Sequence, residues 1–221
     1  MSAVGEIEKQ IKKYQSQGLT LFTSSSFQTH STVLLHILSR IDANIPVYFI
    51  QTGFHFSETI AYKEQIADLF KLRVIDLTSA TPKVMQVNEK GRFLFTSDPD
   101  YCCYLNKIQP MEHLLAYMDV WINGVRADQN ANRAAFQIEE KTHSKAIRYH
   151  PMLHWTKQMI YAYIREHNIP KHPLDAQGYT SIGCEPCTRK INIHQLDERS
   201  ARWFGMQKTE CGLHTELIQK K

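Results

Sequence analysis

The sequence is poor in the residues that interrupt folded structure: 221 residues include only 9 glycines and 8 prolines. That excludes collagen-like and low-complexity architectures. Long apolar runs are missing too. No stretch approaches the ~20 residues needed to cross a membrane, and the opening Met1-Ser2-Ala3-Val4-Gly5-Glu6 is polar, without the pattern of a signal peptide. Neither sign of charge dominates. Lys and Arg number 26 against 22 Asp and Glu, a formal charge of +4 with 11 histidines in reserve. Such a balance suits small anionic ligands and falls far short of a nucleic-acid coat. The five cysteines are an odd number, which argues against a disulfide framework in a chain that reads as intracellular. What remains is a cytoplasmic, soluble protein that contacts neither membrane nor nucleic acid. Its 43% hydrophobic residues are enough for a sizeable core.

Hydrophobic periodicity sets the organisation. An amphipathic helix is predicted over Glu6–Gln15, and a buried strand over Leu19–Thr23. A serine-rich turn, Ser24-Ser25-Ser26-Phe27-Gln28, leads into a helix from Thr29. Next come a strand Val47–Ile50, a turn at Thr52-Gly53, a helix Ser57–Phe70, a strand Leu72–Leu77 and a later strand Val120–Asn123 ending at Gly124. Strands alternating with helices across short turns predict an α/β fold, a parallel sheet with helices on both faces. In such sheets ligands lie at the carboxyl ends of strands. The serine turn, Thr52-Gly53 and Gly124-Val125-Arg126 all fall there. After Pro151 the pattern shifts to one helix, Thr156–Glu166, and an irregular C-terminal extension. No repeat or linker is visible, so the division is an N-terminal helix (1–17), a main domain (18–190) and a tail (191–221).

The cysteines are distributed as four plus one. Cys184-x-x-Cys187 has the spacing that lets one turn present two thiolates to a metal, and Cys102-Cys103 supplies a second pair. Four thiolates suit tetrahedral zinc or a [4Fe–4S] cluster. Adjacent cysteines favour the cluster, because neighbouring side chains diverge and a cluster offers several iron atoms. Cys211 stands apart, between Glu210 and Gly212, with Arg199, Arg202, Lys208 and His214 nearby in sequence. Cations there would favour its thiolate or hold an anion beside it. A serine-rich turn opening a helix can cap the helix or cradle an anion. Lys107 and Arg126 read as anion-holding groups once they share a rim with these motifs.

Taken in order, Ser24-Ser25-Ser26-Phe27, Thr52-Gly53, Cys102-Cys103-x-x-x-Lys107, Gly124-Val125-Arg126, Cys184-x-x-Cys187-Thr188-Arg189 and Glu210-Cys211-Gly212-Leu213-His214 resemble the assimilatory sulfonucleotide reductases. The likeness covers roughly residues 18 to 216. It is greatest to the iron–sulfur branch that acts on adenylylsulfate (APS); the related phosphoadenylylsulfate (PAPS) reductases share the tail motif but typically lack the four cluster cysteines. The resemblance implies an adenine-nucleotide α-hydrolase-like sheet. It implies Cys102, Cys103, Cys184 and Cys187 as ligands of a [4Fe–4S] cluster and Cys211 as nucleophile. Ser24, Ser25, Ser26, Thr52, Gly53, Lys107, Arg126, Arg199, Arg202 and His214 would hold the substrate. Gln51 stands where the family commonly has aspartate, and Asn106 where a basic residue is usual. The stretch between the last arginine and Cys211 is also short. These departures bear on substrate preference rather than on reaction type.

The implied reaction is physically coherent. The Cys211 thiolate attacks the sulfur of the phosphosulfate, AMP leaves, and an S-sulfocysteine forms. A thiol from thioredoxin or a similar dithiol protein then releases sulfite. APS is the expected substrate and PAPS the alternative, since the rim segments Ser24–Gln28 and Gln51–His55 contain no Lys or Arg for a 3′-phosphate. A homo-oligomer is compatible with the sequence. Two other classes compete. An ATP pyrophosphatase of the same broad fold would need a Ser-Gly-Gly-x-Asp-Ser loop, and the turn here has neither glycine nor aspartate. A zinc- or cluster-bearing sensor module would be non-catalytic.

Overall fold

The computed structural model describes residues 3–190, 201–203, 210–215 and 217. In chain order the elements are α1 (Ala3–Ser16), β1 (Leu21–Ser24), α2 (Thr29–Ile41), β2 (Val47–Gln51), α3 (Ser57–Phe70) and β3 (Val74–Thr78). Two short helices follow, α4 (Leu94–Ser97) and α5 (Pro99–Cys103). A π-helical turn over Tyr104–Ile108 leads into α6 (Gln109–Tyr117), and then come β4 (Val120–Ile122), α7 (Ala131–Ala134), β5 (Glu139–Lys141), β6 (Ile147–Tyr149) and α8 (Lys157–Glu166). The strands form one sheet in the order β3-β2-β1-β4-β6-β5. Every pairing is parallel except β5 with β6.

The strand order explains where a ligand belongs. It runs outward from β1 in both directions, so the connections leave β1 and β4 on opposite sides and open a crevice between them. Thr23 of β1 is level with Ile122 of β4, so Ser24 and Asn123 emerge together at that crevice. Alternation along β1 assigns the two faces. Leu21 packs with Ile7, Ile11, Leu34 and Ile160 from α1, α2 and α8. Phe22 points the other way and packs with Trp121, with Met111 and Leu115 of α6, and with Leu213 and Leu217 of the tail. A third cluster, Phe27, Leu35, Phe49, Tyr62 and Ile66, seats α3 against β2.

The predicted parallel sheet with helices on both faces is present, and α3 matches its predicted bounds. Helix α1 begins earlier, at Ala3. Strands β1 and β3 begin two residues later than expected, at Leu21 and Val74. At β3 the reason is the end of α3, where Lys71 takes a left-handed conformation (φ 56°). Its N–H bonds back to Ala67 and Asp68, so Leu72 still belongs to the cap. Thr156 caps α8 from outside, accepting from the Met159 N–H at 3.3 Å. The β5–β6 hairpin was not predicted: β5 is three polar residues, Glu-Glu-Lys, with no alternation to read. Among the described residues, no helix is long and apolar enough to cross a membrane.

Candidate active site

A cleft of about 220 Å³ opens at the β1/β4 crevice. Its floor is made of strand ends. Ser24, Ser25 and Ser26 enter from the β1–α2 turn, Thr52 and His55 from the loop after β2, and Asn123, Gly124 and Val125 from the end of β4. Phe27 ends the serine turn at φ 53°, an uncommon conformation for a non-glycine residue. It is fully buried and packs edge-on to Phe49 at 5.7 Å, so core packing holds the turn in shape. The Trp121 ring crosses between strands to donate to Ser24 Oγ at 2.8 Å.

The wall of the cleft carries cations and two thiols, Cys211 and, where the cleft meets the neighbouring void, Cys184. Lys107, Arg133, Arg202 and Cys211 all line it. Cys211 belongs to a short turn that continues through Gly212–His214. Two devices hold this turn. Leu213 and Leu217 dock into the cluster around Phe22 and Trp121. The buried Glu210 carboxylate accepts from Arg133 Nε at 3.0 Å, Arg133 Nη2 at 3.1 Å and Asn130 Nδ2 at 2.9 Å. The Cys211 N–H bonds to the same carboxylate at 3.0 Å. A bidentate arginine–carboxylate pair this well buried is geometrically specific, and it fixes the backbone that carries the thiol.

Beside the cleft, Cys102, Cys103, Cys184 and Cys187 line a second, smaller void together with Thr52, Asn106 and Lys107. Cys102 and Cys103 end α5, whose N-cap Asp98 accepts from the Tyr101 N–H. The Cys184 loop zips onto the loop after β2: the Glu185 N–H donates to the Phe54 carbonyl at 2.7 Å, and Thr52 Oγ1 lies 3.3 Å from Cys184 Sγ. Segment 201–203 pairs in turn with the residues that follow the short 3-10 turn Glu185–Cys187, through Arg189 N–H to the Ala201 carbonyl and Trp203 N–H to the Cys187 carbonyl. Lys107 lies on the π-helical turn, a feature frequent at functional sites. Burial opposes its charge, but Cys184, Cys103 and Cys211 around it outweigh that and hold its pKa above the usual lysine value. Burial pushes the Cys102 thiol up to about 12 and raises Cys187 as well. At Cys184 burial is overcome by Lys107, the Thr52 hydroxyl and Arg202, and the thiol is held below its ordinary value. Among the described residues no three His, Cys, Asp or Glu side chains are gathered as one mononuclear ion would require.

The predicted residues therefore divide. Ser24, Ser25, Ser26, Thr52, Lys107, Arg202 and Cys211 share the cleft, the four remaining cysteines share the adjoining void, and Thr52, Lys107 and Cys184 line both. Arg126 is not among the residues that line the cleft. It is buried, its Nε donates to Asp128 Oδ1 at 2.9 Å and its Nη1 meets His30, so it braces the rim from behind the lining. Nor is Gly53. It turns the chain at φ 70° with its carbonyl bound by Lys83, outside the lining. His214 closes the tail turn, and Arg199 lies outside the described residues. Asn106 is buried against Gln86 and the Cys102 carbonyl, so an amide pair occupies the position where a basic residue was expected. Sequence reasoning missed Arg133, Asn123 and Glu210. Arg133 sits seven residues past Arg126 on a four-residue helix too short to show periodicity.

Comparison with known proteins shows the family of the chain. The phosphoadenosine phosphosulfate reductase domain matches residues 20–190. The adenosine 5′-phosphosulfate reductase of Chelativorans sp. (strain BNC1) is 35% identical over 214 residues, covering 97% of this chain and 86% of that protein. Adenosine 5′-phosphosulfate reductase 2 of Bacillus subtilis (strain 168) is 36% identical over 207 residues, covering 92% and 86%. Among solved structures, the phosphoadenylyl-sulfate reductase of Candida auris superposes with a TM-score of 0.68 at 21% identity, over 80% of this chain and 87% of that one. The FMN adenylyltransferase of Candida glabrata superposes at 0.61 with 14% identity, over 99% and 74%. These two share the fold.

Proposed function

Because this chain belongs to the phosphoadenosine phosphosulfate reductase domain family, we propose that it is an adenylyl-sulfate reductase, an oxidoreductase of sulfate assimilation. In this reading it converts APS to sulfite and AMP at the expense of two thiols. The observation that carries it is Cys211 on one wall of a cleft whose floor is the serine turn and whose lining includes Lys107, Arg133 and Arg202. The Cys211 sulfur forms a bond to the sulfate sulfur as the S–O bond to AMP breaks, and the electron pair of that bond leaves with the phosphate. The product is an S-sulfocysteine. An external dithiol, thioredoxin or a protein like it in a cytosolic setting, attacks the cysteine sulfur. Sulfite leaves, and the resulting mixed disulfide is resolved by the second thiol. The two electrons lost by the dithiol are those gained by the sulfate sulfur. Phosphate is a good leaving group, so orientation and charge neutralisation by the cleft cations supply most of the catalysis.

Cys102, Cys103, Cys184 and Cys187 would hold a [4Fe–4S] cluster. The donor set fits: four thiols line one void, and a cluster gives each its own iron, so they need not converge on a point. When bound, the cluster supplies a fixed charged centre beside Lys107, with no change of oxidation state required. APS is favoured over PAPS because the floor segments bring no Lys or Arg to a 3′-phosphate, and burial holds His55 neutral with a pKa of about 4. The test is anaerobically purified protein given APS and a dithiol. Sulfite formation, with an SO₃ adduct trapped on Cys211, supports the reading; pyrophosphate release from ATP without sulfite formation overturns it.

A further inference from the structure

Asn123 stands at the carboxyl end of β4, beside Ser24 on the cleft floor, and is only 4% exposed. Its side-chain Oδ1 stands 2.6 Å from His150 Nδ1, and its Nδ2 has no hydrogen-bond partner. On its far side His150 Nε2 lies 3.2 Å from Glu140 Oε2. The imidazole is fully buried, stacked on Phe136 at 5.4 Å. A buried chain thus runs from Glu140 through His150 to an amide that ends, unsatisfied, at the cleft. A buried polar group left without a partner is costly, and a ligand is the obvious source of one.

The chemistry of the chain decides which end of the amide faces the ligand. Hydrogen bonding to His150 keeps the Glu140 carboxyl below its ordinary range despite burial, so Glu140 accepts only and Nε2 carries the proton. Burial, with the Arg148 and Arg133 cations nearby, outweighs Glu140 and keeps His150 neutral, its pKa lowered to about 4. Neutral imidazole protonated at Nε2 has a lone pair at Nδ1, and that lone pair requires a donor. The two ends of a carboxamide have the same shape, so a half-turn exchanges them without steric cost. The amide nitrogen therefore serves His150, and the carbonyl oxygen faces the cleft.

We propose that Asn123 is a nucleotide-contacting residue whose carbonyl oxygen accepts a hydrogen bond from the nucleoside half of the substrate, a ribose hydroxyl or the adenine amino group. The phosphosulfate offers acceptors alone, so an acceptor on the cleft floor can serve only the nucleoside. His150 and Glu140 are positioning residues that fix the amide's sense. This inference rests on the cleft binding an adenine sulfonucleotide.

The experiment measures adenosine and AMP binding by calorimetry to the full chain and its variants, with melting curves confirming that each is folded. Asn123→Leu removes the acceptor and is expected to weaken adenosine and AMP by the same factor, roughly tenfold. Asn123→Asp keeps an acceptor at the cleft and holds a protonated His150 between two carboxylates, so adenosine affinity stays within about twofold while AMP, an anion, binds more weakly. His150→Gln, which can still accept from Asn123 and donate to Glu140, retains adenosine affinity; His150→Phe loses it. Unchanged adenosine binding in Asn123→Leu, or equal loss in the Leu and Asp variants, overturns the proposal. If the wild type binds neither adenosine nor AMP, the sulfonucleotide reading itself fails, and this inference with it.

Discussion

The floor and the wall of the cleft are built by different means. The floor is backbone: Ser24 and Asn123 stand where two paired strands end, and their positions follow from the ladder and the packed faces beneath. The wall is side chain: Cys211 sits on a turn tied down by the Arg133–Glu210 pair and two docked leucines. Strand ends make a rigid cradle for a nucleotide that must be bound in one pose. A turn held by a few side-chain contacts suits the proposed mechanism, in which the thiol would meet two partners in succession, the nucleotide and an external dithiol. Binding and chemistry are thereby separable, and substitutions can separate them.

The largest effect is expected from Cys211→Ser, which removes the proposed nucleophile and leaves the floor untouched. Sulfite formation should fall by at least about 10³-fold, with AMP affinity unchanged in calorimetry. A variant turning over near the wild-type rate would place the chemistry elsewhere.

Detaching the wall is next. Arg133→Met strands the Glu210 carboxylate in a buried site, where only 2% of its side chain is exposed. Breaking such a pair costs about 3–5 kcal/mol, so the melting temperature should drop measurably. The double variant Arg133→Met/Glu210→Gln removes the stranded charge and should recover most of that stability. Activity should stay low in both, because the guanidinium that holds residue 210, and through it the Cys211 backbone, is gone from the cleft wall. Recovery of activity alongside stability would mean that the clamp does not position the thiol.

The packing behind the serine turn has its own weak point in acid, where His172 ties the N-terminal ends of α2 and α3 together. His172 is buried; its Nδ1 accepts from the Leu174 N–H at 3.2 Å and its Nε2 meets the Thr59 hydroxyl at 3.1 Å. Burial lowers its pKa to about 4 from 6.5. A depressed histidine favours the fold above its unfolded pKa, and that contribution is lost as the pH falls from about 6.5 toward 4. Thermal stability should therefore decline across this window. His172→Gln should make the decline shallower without abolishing it, since His55 and His150 are depressed to about 4 as well, while costing some stability at pH 7; an unchanged pH profile would assign the acid sensitivity to those other groups.

How much of this was legible in the sequence follows the same division. The floor was legible because it is local. Apolar runs of strand length, each followed by a turn, locate the carboxyl ends of β1, β2 and β4 within a residue or two, and so locate Ser24, Thr52 and Gly124. The cysteines were legible as chemistry because thiols are rare and their spacing is specific. The wall was only partly legible. Glu210 and Arg133 are 77 residues apart, and nothing in either segment says that they pair. Arg126 shows the converse case. It follows a strand-end glycine, which made it look like a ligand group, but Asp128 two residues later claims its guanidinium. Nor could Asn123 be recognised without the β5–β6 hairpin, whose His150 and Glu140 hold it.

The smallest expected effect tests the floor at a single hydroxyl. Indole N–H can only donate, so Trp121 uses one lone pair of Ser24 Oγ at 2.8 Å and leaves the hydroxyl proton free to be given to another acceptor. An oxygen of the phosphosulfate at the mouth of the serine turn is such an acceptor. Ser24→Ala removes one donor among several, since Ser25, Ser26 and the lining cations remain. A single hydrogen bond to a charged oxygen contributes about 1.5–3 kcal/mol at most, and water replaces part of that in an open cleft. The KM for APS should rise roughly three- to tenfold, with kcat within about twofold, because the contact is made equally in the ground and transition states. A kcat loss exceeding the change in KM would show instead that Ser24 acts on the departing phosphate, and the floor would then take part in the chemistry as well as the binding.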